Sequence, residues 1–418
     1  MIGEKLYALS IRAYLAAIQI AALRNKKARD WLRGRKNWGE KLTRQLSELP
    51  EGQRVWLHAA SLGEMEMALP LLRELKQSRP DYHFIISFFS PSGFQHYQAG
   101  ARESITYLPL DQPKNAEQFI AICRPQLAIF VKYEIWPFFL RALAKHKIPS
   151  LLISARFRPG QIYFKPAFRS FFKPALDAFA MILTQDDGSL KLLRQQGLKN
   201  AVIAGDSRYD QVVALKNQEY DHSPALEKFS EKNFTIVGGS SWPPEEKILR
   251  DFMHQQSEVK LILAPHQVDE ANIRRLVDEF KAFGCVRFSD DHWPSAARVL
   301  IIDNIGHLKY LYRFGDLALI GGGMGPGVHS VLEAAAYGLP VAFGPRHRKF
   351  SEPGQLIEEG FAREIELTKD FVEYYRELRN ADKFQKLKPK IASFVAAKAG
   401  ATQKSLEQCL KFLPASKA

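Results

Sequence analysis

The sequence predicts an α/β fold of two doubly wound, Rossmann-like domains, and three observations carry that prediction. The chain has 418 residues, 46% hydrophobic and 25% charged, too long for one small core and too apolar for disorder. From Val55 onward, short apolar runs alternate with helical patterns, as a mostly parallel sheet with right-handed crossovers requires. The alternation pauses once, over a polar stretch from Gln211 to Asn233, and then begins again.

The elements follow in order. Residues 6–23 read LYALSIRAYLAAIQIAAL, with Arg12 and Gln19 the only strongly polar interruptions. The stretch approaches the roughly 20 residues of a spanning helix. Arg24, Lys26, Lys27, Arg29, Arg33, Arg35 and Lys36 follow, with Trp31 and Trp38 among them. An apolar helix with basic residues and Trp beside it suits an anionic membrane leaflet. The alternative is an amphipathic helix packed on the first domain. As an anchor, the segment before about Trp31 would be removable with the fold spared. Residues 55–59, 84–88, 127–131, 150–153 and 181–184 read as strands, with helical stretches at 64–77, 137–145 and 188–196. After the pause, strands are expected at 234–237, 259–263, 299–302, 317–320 and 340–343, and a lysine-rich helical stretch from about Asp382. The expected domains are a membrane-associating helix and basic segment (1–50), a first Rossmann-like domain (51–215), a linker (216–233), a second Rossmann-like domain (234–380) and C-terminal helices (381–418). Two such domains with an interdomain cleft constitute the GT-B architecture.

Lys and Arg number 59 against 45 acids, a formal charge of +14 that favours phosphates, nucleic acid or an anionic membrane. The three cysteines form no CxxC pair and the eleven histidines no HExxH or HxH pattern, so no metal motif is present. Cys123, Cys285 and Cys409 read as small core residues in a reducing compartment.

Candidate chemistry lies where strands end, since ligands of open α/β sheets bind at the carboxyl ends of strands. In the first domain, Ser61-Leu62-Gly63-Glu64 follows a strand. Glu64 lies in the first turn of a helix, where it could face a ligand or close a capping box on Ser61. Lys132-Tyr133-Glu134-Ile135-Trp136-Pro137 follows another strand, with Pro137 at a favoured helix start. Gly205 and Asp206 end a strand near the linker, lining a site or turning the chain. In the second domain, Gly238-Gly239-Ser240-Ser241 and Pro265-His266 end strands. The loop Gly321-Gly322-Gly323-Met324-Gly325-Pro326-Gly327-Val328-His329-Ser330, running into a helix with Glu333, offers an anion site through free N–H groups and a helix dipole. Glu333 could accept ribose hydroxyls, and Arg346 adds positive charge to the same edge. A structural glycine turn is the alternative. The spacing fits neither a Walker motif nor a dinucleotide fingerprint.

At these residues the chain resembles the Kdo (3-deoxy-D-manno-octulosonic acid) transferases, inverting enzymes of GT-B fold. Ser61-x-Gly63-Glu64 is similar to the family's S-x-G-E, Glu134-Ile135-Trp136-Pro137 to its E-[IL]-W-P, Ile153 to Arg156 to its strand ending N-A-R, and Gly321 to Glu333 to its G-G-S…G-G-H-N-x-L-E-P. Lys132 stands where the family often has an acid, and Gly323, Val328, Ser330 and Ala334 replace its usual Ser, Gly, Asn and Pro. The resemblance implies transfer of Kdo from CMP-Kdo to the lipid A precursor. It implies Glu64 as catalytic base, with Ser61, Gly63, Lys132, Glu134 and Arg156 on the acceptor side. Donor contacts would come from Ser240, His266, Gly322, Gly323, Gly325, His329, Ser330, Glu333 and Arg346. No metal or cofactor is implied, and the setting would be the cytoplasmic face of a bacterial inner membrane. Another GT-B transferase or epimerase, or a basic membrane- or nucleic-acid-binding protein, are the rival readings; no nucleic-acid partner is expected.

Overall fold

The computed structural model describes residues 2–50, 52–231 and 233–415, so the expected domain limits at 1, 51 and 418 lie outside the described residues. The chain forms two compact units, 1–210 with 399–418, and 211–398. The first holds β1 (Arg54–Ala59), β2 (His83–Phe88), β3 (Glu103–Tyr107), β4 (Leu127–Val131), β5 (Ser150–Ala155), β6 (Met181–Thr184) and β7 (Ala201–Ile203). The second holds β8 (Thr235–Ser241), β9 (Lys260–Pro265), β10 (Cys285–Arg287), β11 (Val299–Ile301), β12 (Leu317–Ile320), β13 (Val341–Phe343) and β14 (Ala362–Glu364). Both sheets are seven-stranded, in orders β3-β2-β1-β4-β5-β6-β7 and β10-β11-β9-β8-β12-β13-β14. Every pairing is parallel.

The central strands are buried along nearly their whole length: Leu127–Val131 and Leu317–Ile320 expose no residue to solvent. Helices on both faces of a parallel sheet demand that continuous apolar run. In the first unit, Trp56, Phe119, Phe130 and Phe139 pack on one face of the sheet, and Leu57, Met65, Leu72 and Ile86 on the other. The second unit has its own core around Leu249, Phe252, Leu263, Leu276 and Phe371. Within the expected linker, Pro224–Ser230 is a helix capped by Ser223, with Leu226 and Phe229 buried. The helix Ala401–Leu410 belongs to the first unit, its start held by Asp210, whose carboxylate accepts from the N–H groups of Gly400, Ala401 and Thr402. Cys123 and Cys409 are buried and Cys285 partly so.

The N-terminal segment is a helix, Ile2–Ala21, but no helix among the described residues is long and apolar enough to cross a membrane. Lys5 and Arg12 dilute its apolarity, and one face packs on its own unit. The Tyr7 ring sits 5.0 Å from Phe171 and 5.7 Å from Phe138, and its hydroxyl donates to Asp111 at 2.7 Å. Asp111 is fully buried, also accepts from Phe138 N–H and Phe139 N–H, and is pushed up to about 6 by burial. The opposite face exposes Leu6, Leu9 and Ile20, with Leu23 just beyond.

Part of the basic run turns inward, and both tryptophans expected beside a membrane pack on the first unit. Trp31 is buried against Tyr14 and Phe89, and Trp38 packs on Phe119. Arg35 lies 3.7 Å over the Trp31 ring and donates to Leu108 O at 2.9 Å and Phe89 O at 2.6 Å. Burial lowers its guanidinium to about 9. Arg24, Lys26, Lys27, Arg29, Arg33 and Lys36 remain exposed.

Candidate functional site

In the first unit the site grows from the carboxyl ends of β1 and β4, which are neighbours in the sheet. β1 ends at Ala59, and the helix Leu62–Ser78 begins after the N-cap Ser61, whose extended backbone turns the chain out of the sheet. Glu64 reaches back so that its Oε2 accepts from Ala60 N–H at 2.7 Å. The Ser61 hydroxyl makes no capping bond, so only half of a capping box forms. A side chain added at Gly63 would meet nothing within 4 Å; the space before the helix start is open.

Lys132 follows β4 in the left-handed region, φ 66°, which reverses the chain and carries Glu134 back toward β1. Its N–H donates to Ile153 O, tying the turn to β5. Glu134 is almost fully buried, with its Oε2 2.9 Å from His58 Nε2 and 2.7 Å from Trp136 Nε1. Burial first, and the negative charge of Glu134 second, push Glu64 up to about 7; the N–H groups of Ala60 and Ser61 and the Lys132 ammonium oppose them. A carboxyl group that ionises near neutral pH is suited to accept a proton in catalysis. Arg156 follows β5 with its Nε 3.6 Å from Asp186 Oδ2. Asp206, beyond β7, is paired with Arg208 at 2.5 Å.

His58 carries no role expected from the sequence. Its side chain is fully buried on β1 and lies between Glu134 and Ser87. Only pairing of β1 with β2 and β4 brings the three together, so no local spacing reveals them.

In the second unit, β8, β9, β12 and β13 are consecutive across the sheet as β9-β8-β12-β13. Their carboxyl ends bring Ser240, His266, the loop 321–330 and Arg346 to one edge. Ser240 adopts φ 50° at the end of β8, and His266 N–H donates to Ser241 O at 2.9 Å. The Trp242, His266 and His329 rings form a stack, 4.6 Å between the first two and 4.7 Å between the last two. Trp242 Nε1 donates to His329 Nε2 at 3.2 Å, which leaves the His329 proton on Nδ1. Burial and the neighbouring His266 lower the His329 pKa, in keeping with a neutral ring.

The glycine loop corrects the picture of free N–H groups. Gly325 N–H and Gly327 N–H both donate to Gly322 O, His329 N–H to Gly321 O, and Val328 N–H to Arg346 O. Met324 N–H donates to Glu245 Oε1 at 3.1 Å. The loop therefore spends most of its donors on its own shape, which φ 84° at Gly322 makes possible. A Cβ at Gly323 would strike the backbone of Gly344, so the glycines also serve close packing. Arg346 is exposed, with Nη1 donating to Gly325 O at 2.9 Å. Ser330 is exposed at the start of the six-residue helix Val331–Ala336, and Glu333 is partly exposed on it. Side chains on this edge, more than loop amides, are left to meet an anion. Trp242 and the fully buried Glu245 were not among the expected site residues; Trp242 is the N-cap of the helix Pro243–Gln255 that follows β8, and Glu245 lies in its first turn.

Residues 36–211 match the family described as 3-Deoxy-D-manno-octulosonic-acid transferase (kdotransferase). The chain is 26% identical over 321 residues to the 3-deoxy-D-manno-octulosonic acid transferase of Haemophilus influenzae, covering 74% of this chain and 75% of that one. It is 26% identical over 345 residues to the enzyme of the same name from Aquifex aeolicus, covering 80% and 89%. Among solved structures, the UDP-GlcNAc 2-epimerase of Neisseria meningitidis bound to UDP-GlcNAc superposes with a TM-score of 0.60 at 14% identity, over 86% of this chain and 100% of that one. That likeness shows the GT-B fold. By sequence over most of its length, the chain is similar to the 3-deoxy-D-manno-octulosonic acid transferases.

Proposed function

We propose that this protein is an inverting glycosyltransferase that moves Kdo from CMP-Kdo to the lipid A precursor in lipopolysaccharide core biosynthesis. The observation that carries the mechanism is Glu64, a half-buried carboxyl group in the first turn of the helix after β1, bonded back to Ala60 N–H and lifted to about 7. As its carboxylate, Glu64 takes the proton of the acceptor hydroxyl while that oxygen bonds to the anomeric carbon of Kdo. The bond to the CMP phosphate breaks on the opposite face, so configuration inverts. Lys132 and Arg156, at the ends of β4 and β5, offer positive charge to an acidic acceptor. Ser61 and Gly63 leave the helix start open to it.

On the second unit, Ser240, His266, Ser330 and Arg346 are the donors proposed for the departing CMP, with His329 giving a proton from Nδ1 and Glu333 accepting ribose hydroxyls. Gly322, Gly323 and Gly325 shape the edge on which the nucleotide rests. Charge stabilisation of a leaving phosphate by fixed donors and cations needs no protein metal motif.

The membrane enters through the N-terminal helix. Leu6, Leu9, Ile20 and Leu23 face outward, and the exposed basic residues from Arg24 to Lys36 lie beside them in sequence. We place this surface on an anionic membrane, at the cytoplasmic face of a bacterial inner membrane, lying on the bilayer. Incubation with CMP-Kdo and a lipid A precursor, read by mass spectrometry, tests the function: an adduct of one or more Kdo units supports it, and an unmodified lipid with a competent control enzyme refutes it.

A further inference from the structure

The side chain with the most elaborate set of partners in the first unit is one the reaction above does not use. His58 is completely buried between β2 and the turn after β4. Its Nδ1 lies 2.8 Å from Ser87 Oγ and 3.0 Å from Ser87 O. Ser87 Oγ in turn accepts from Trp56 Nε1 at 2.7 Å. On the other side of the ring, Nε2 lies 2.9 Å from Glu134 Oε2, the atom that also accepts from Trp136 Nε1 at 2.7 Å.

The directions of these bonds follow from what each group can do. Trp Nε1 only donates, so Ser87 Oγ and Glu134 Oε2 are acceptors toward Trp56 and Trp136. Ser87 keeps one hydroxyl proton, and His58 Nδ1 is an acceptor within reach. With the ring proton on Nε2, His58 donates to Glu134 Oε2, Nδ1 accepts from Ser87 Oγ–H, and Ser87 O, itself only an acceptor, makes no bond to Nδ1. The chain therefore runs Trp56 to Ser87 to His58 to Glu134, with Trp136 closing it.

Resting on the functional reading above, we infer that His58 is a positioning residue: its Nε2–H, oriented from behind by Ser87, holds the Glu134 carboxyl group in place beside the base Glu64. Without these two donors the Glu134 side chain would be free to turn away from Glu64. Held by two donors, Glu134 stays where its negative charge raises the proton affinity of Glu64. Lys132 and the N–H groups of Ala60 and Ser61 act on Glu64 in the opposite sense. The other titratable groups near Glu134 are Tyr163, held by burial at about 12, and Tyr7, raised further still, so neither ionises in the working range. Removing the His58 donor lets Glu134 move off, so its push on Glu64 weakens. Glu64 then ionises at lower pH and is a weaker base.

The test compares pH profiles of kcat for wild type, His58→Leu, His58→Gln and Trp136→Phe. It is paired with nitrogen NMR of the selectively labelled His58 ring. His58→Leu should move the acid limb of kcat to lower pH and lower the plateau roughly tenfold, with KM for CMP-Kdo unchanged. Glutamine can place an amide N–H near the position of Nε2 and should restore the wild-type profile. Trp136→Phe removes the second donor to Glu134 and should move the limb the same way, which keeps the inference testable if His58→Leu does not fold. The NMR spectrum should show Nε2 protonated. An unmoved limb in both donor-deleting variants, or a bare Nε2, overturns the inference. Wild-type protein that turns over no CMP-Kdo defeats the function instead, and the ring-nitrogen spectrum still decides the role of His58.

Discussion

Replacing Glu64 with glutamine should move activity and stability in opposite directions. The carboxyl group goes from an ordinary value of 4.5 to about 7 on folding, chiefly through burial and then through Glu134. The folded chain thus binds the Glu64 proton more tightly than the unfolded chain does. Between about pH 4.5 and 7 the folded state carries the extra proton, so its stability falls as pH rises through that window. Above pH 7 the full penalty is present, and below the unfolded value it vanishes. At about 1.4 kcal/mol per tenfold change in proton affinity, the ionised Glu64 destabilises the folded state by on the order of 1–3 kcal/mol. Glutamine keeps an oxygen that can accept from Ala60 N–H and carries no charge. Glu64→Gln should therefore lose about 10²–10⁴-fold in turnover while gaining stability at pH 8. The gain should shrink toward zero at pH 4.5. Denaturant unfolding of both proteins across that range, with turnover at saturating CMP-Kdo, measures both. Near-normal turnover, or a stability difference that does not change with pH, would refute the reasoning.

Three further outcomes follow from other parts of the molecule. Tyr7→Phe removes one hydrogen bond to the buried Asp111 carboxylate and should cost roughly 1.5–3 kcal/mol in a denaturant melt; a loss below measurement would mean the N-terminal helix is loosely docked. Leu9→Glu with Ile20→Glu, both outward-facing, should weaken binding to anionic vesicles by roughly a hundredfold or more without changing the melt, and unchanged sedimentation with vesicles would place the membrane surface elsewhere. His329→Ala and Glu333→Ala should each weaken CMP binding by about ten- to a hundredfold in calorimetry, and unchanged affinity in both would make the loop 321–330 a structural turn.

The sequence showed the central strands plainly because each is buried on both faces and so is continuously apolar. The strands it did not show, β3, β10 and β14, are edges of the two sheets, and β7, the remaining edge, appeared only as the strand before Gly205. An edge strand has less to bury: Glu103–Tyr107 carries a glutamate, a serine and a threonine, and the other three are three residues long. Glu64 and Glu134 were legible because their motifs are contiguous. His58 and Ser87 were not, since their meeting depends on strand pairing. The glycine loop was located by composition, but composition cannot tell a free N–H from one bonded to Gly322 O. The same limit applied at the N-terminus, where the segment before Trp31 read as separable. Tyr7 and Asp111, 104 residues apart, bind it to the first unit. Deleting it would leave a buried carboxylate short of one donor.

The claim on which the rest depends is that Glu64 is the base of a Kdo transfer. The most direct measurement is a mass-spectrometric time course of lipid A precursor with CMP-Kdo, run in parallel with wild type and Glu64→Gln at pH 8, with CMP binding of both proteins checked by calorimetry. Wild type should yield Kdo-bearing lipid and the variant little or none, with equal CMP affinity. Equal product from both proteins would contradict it.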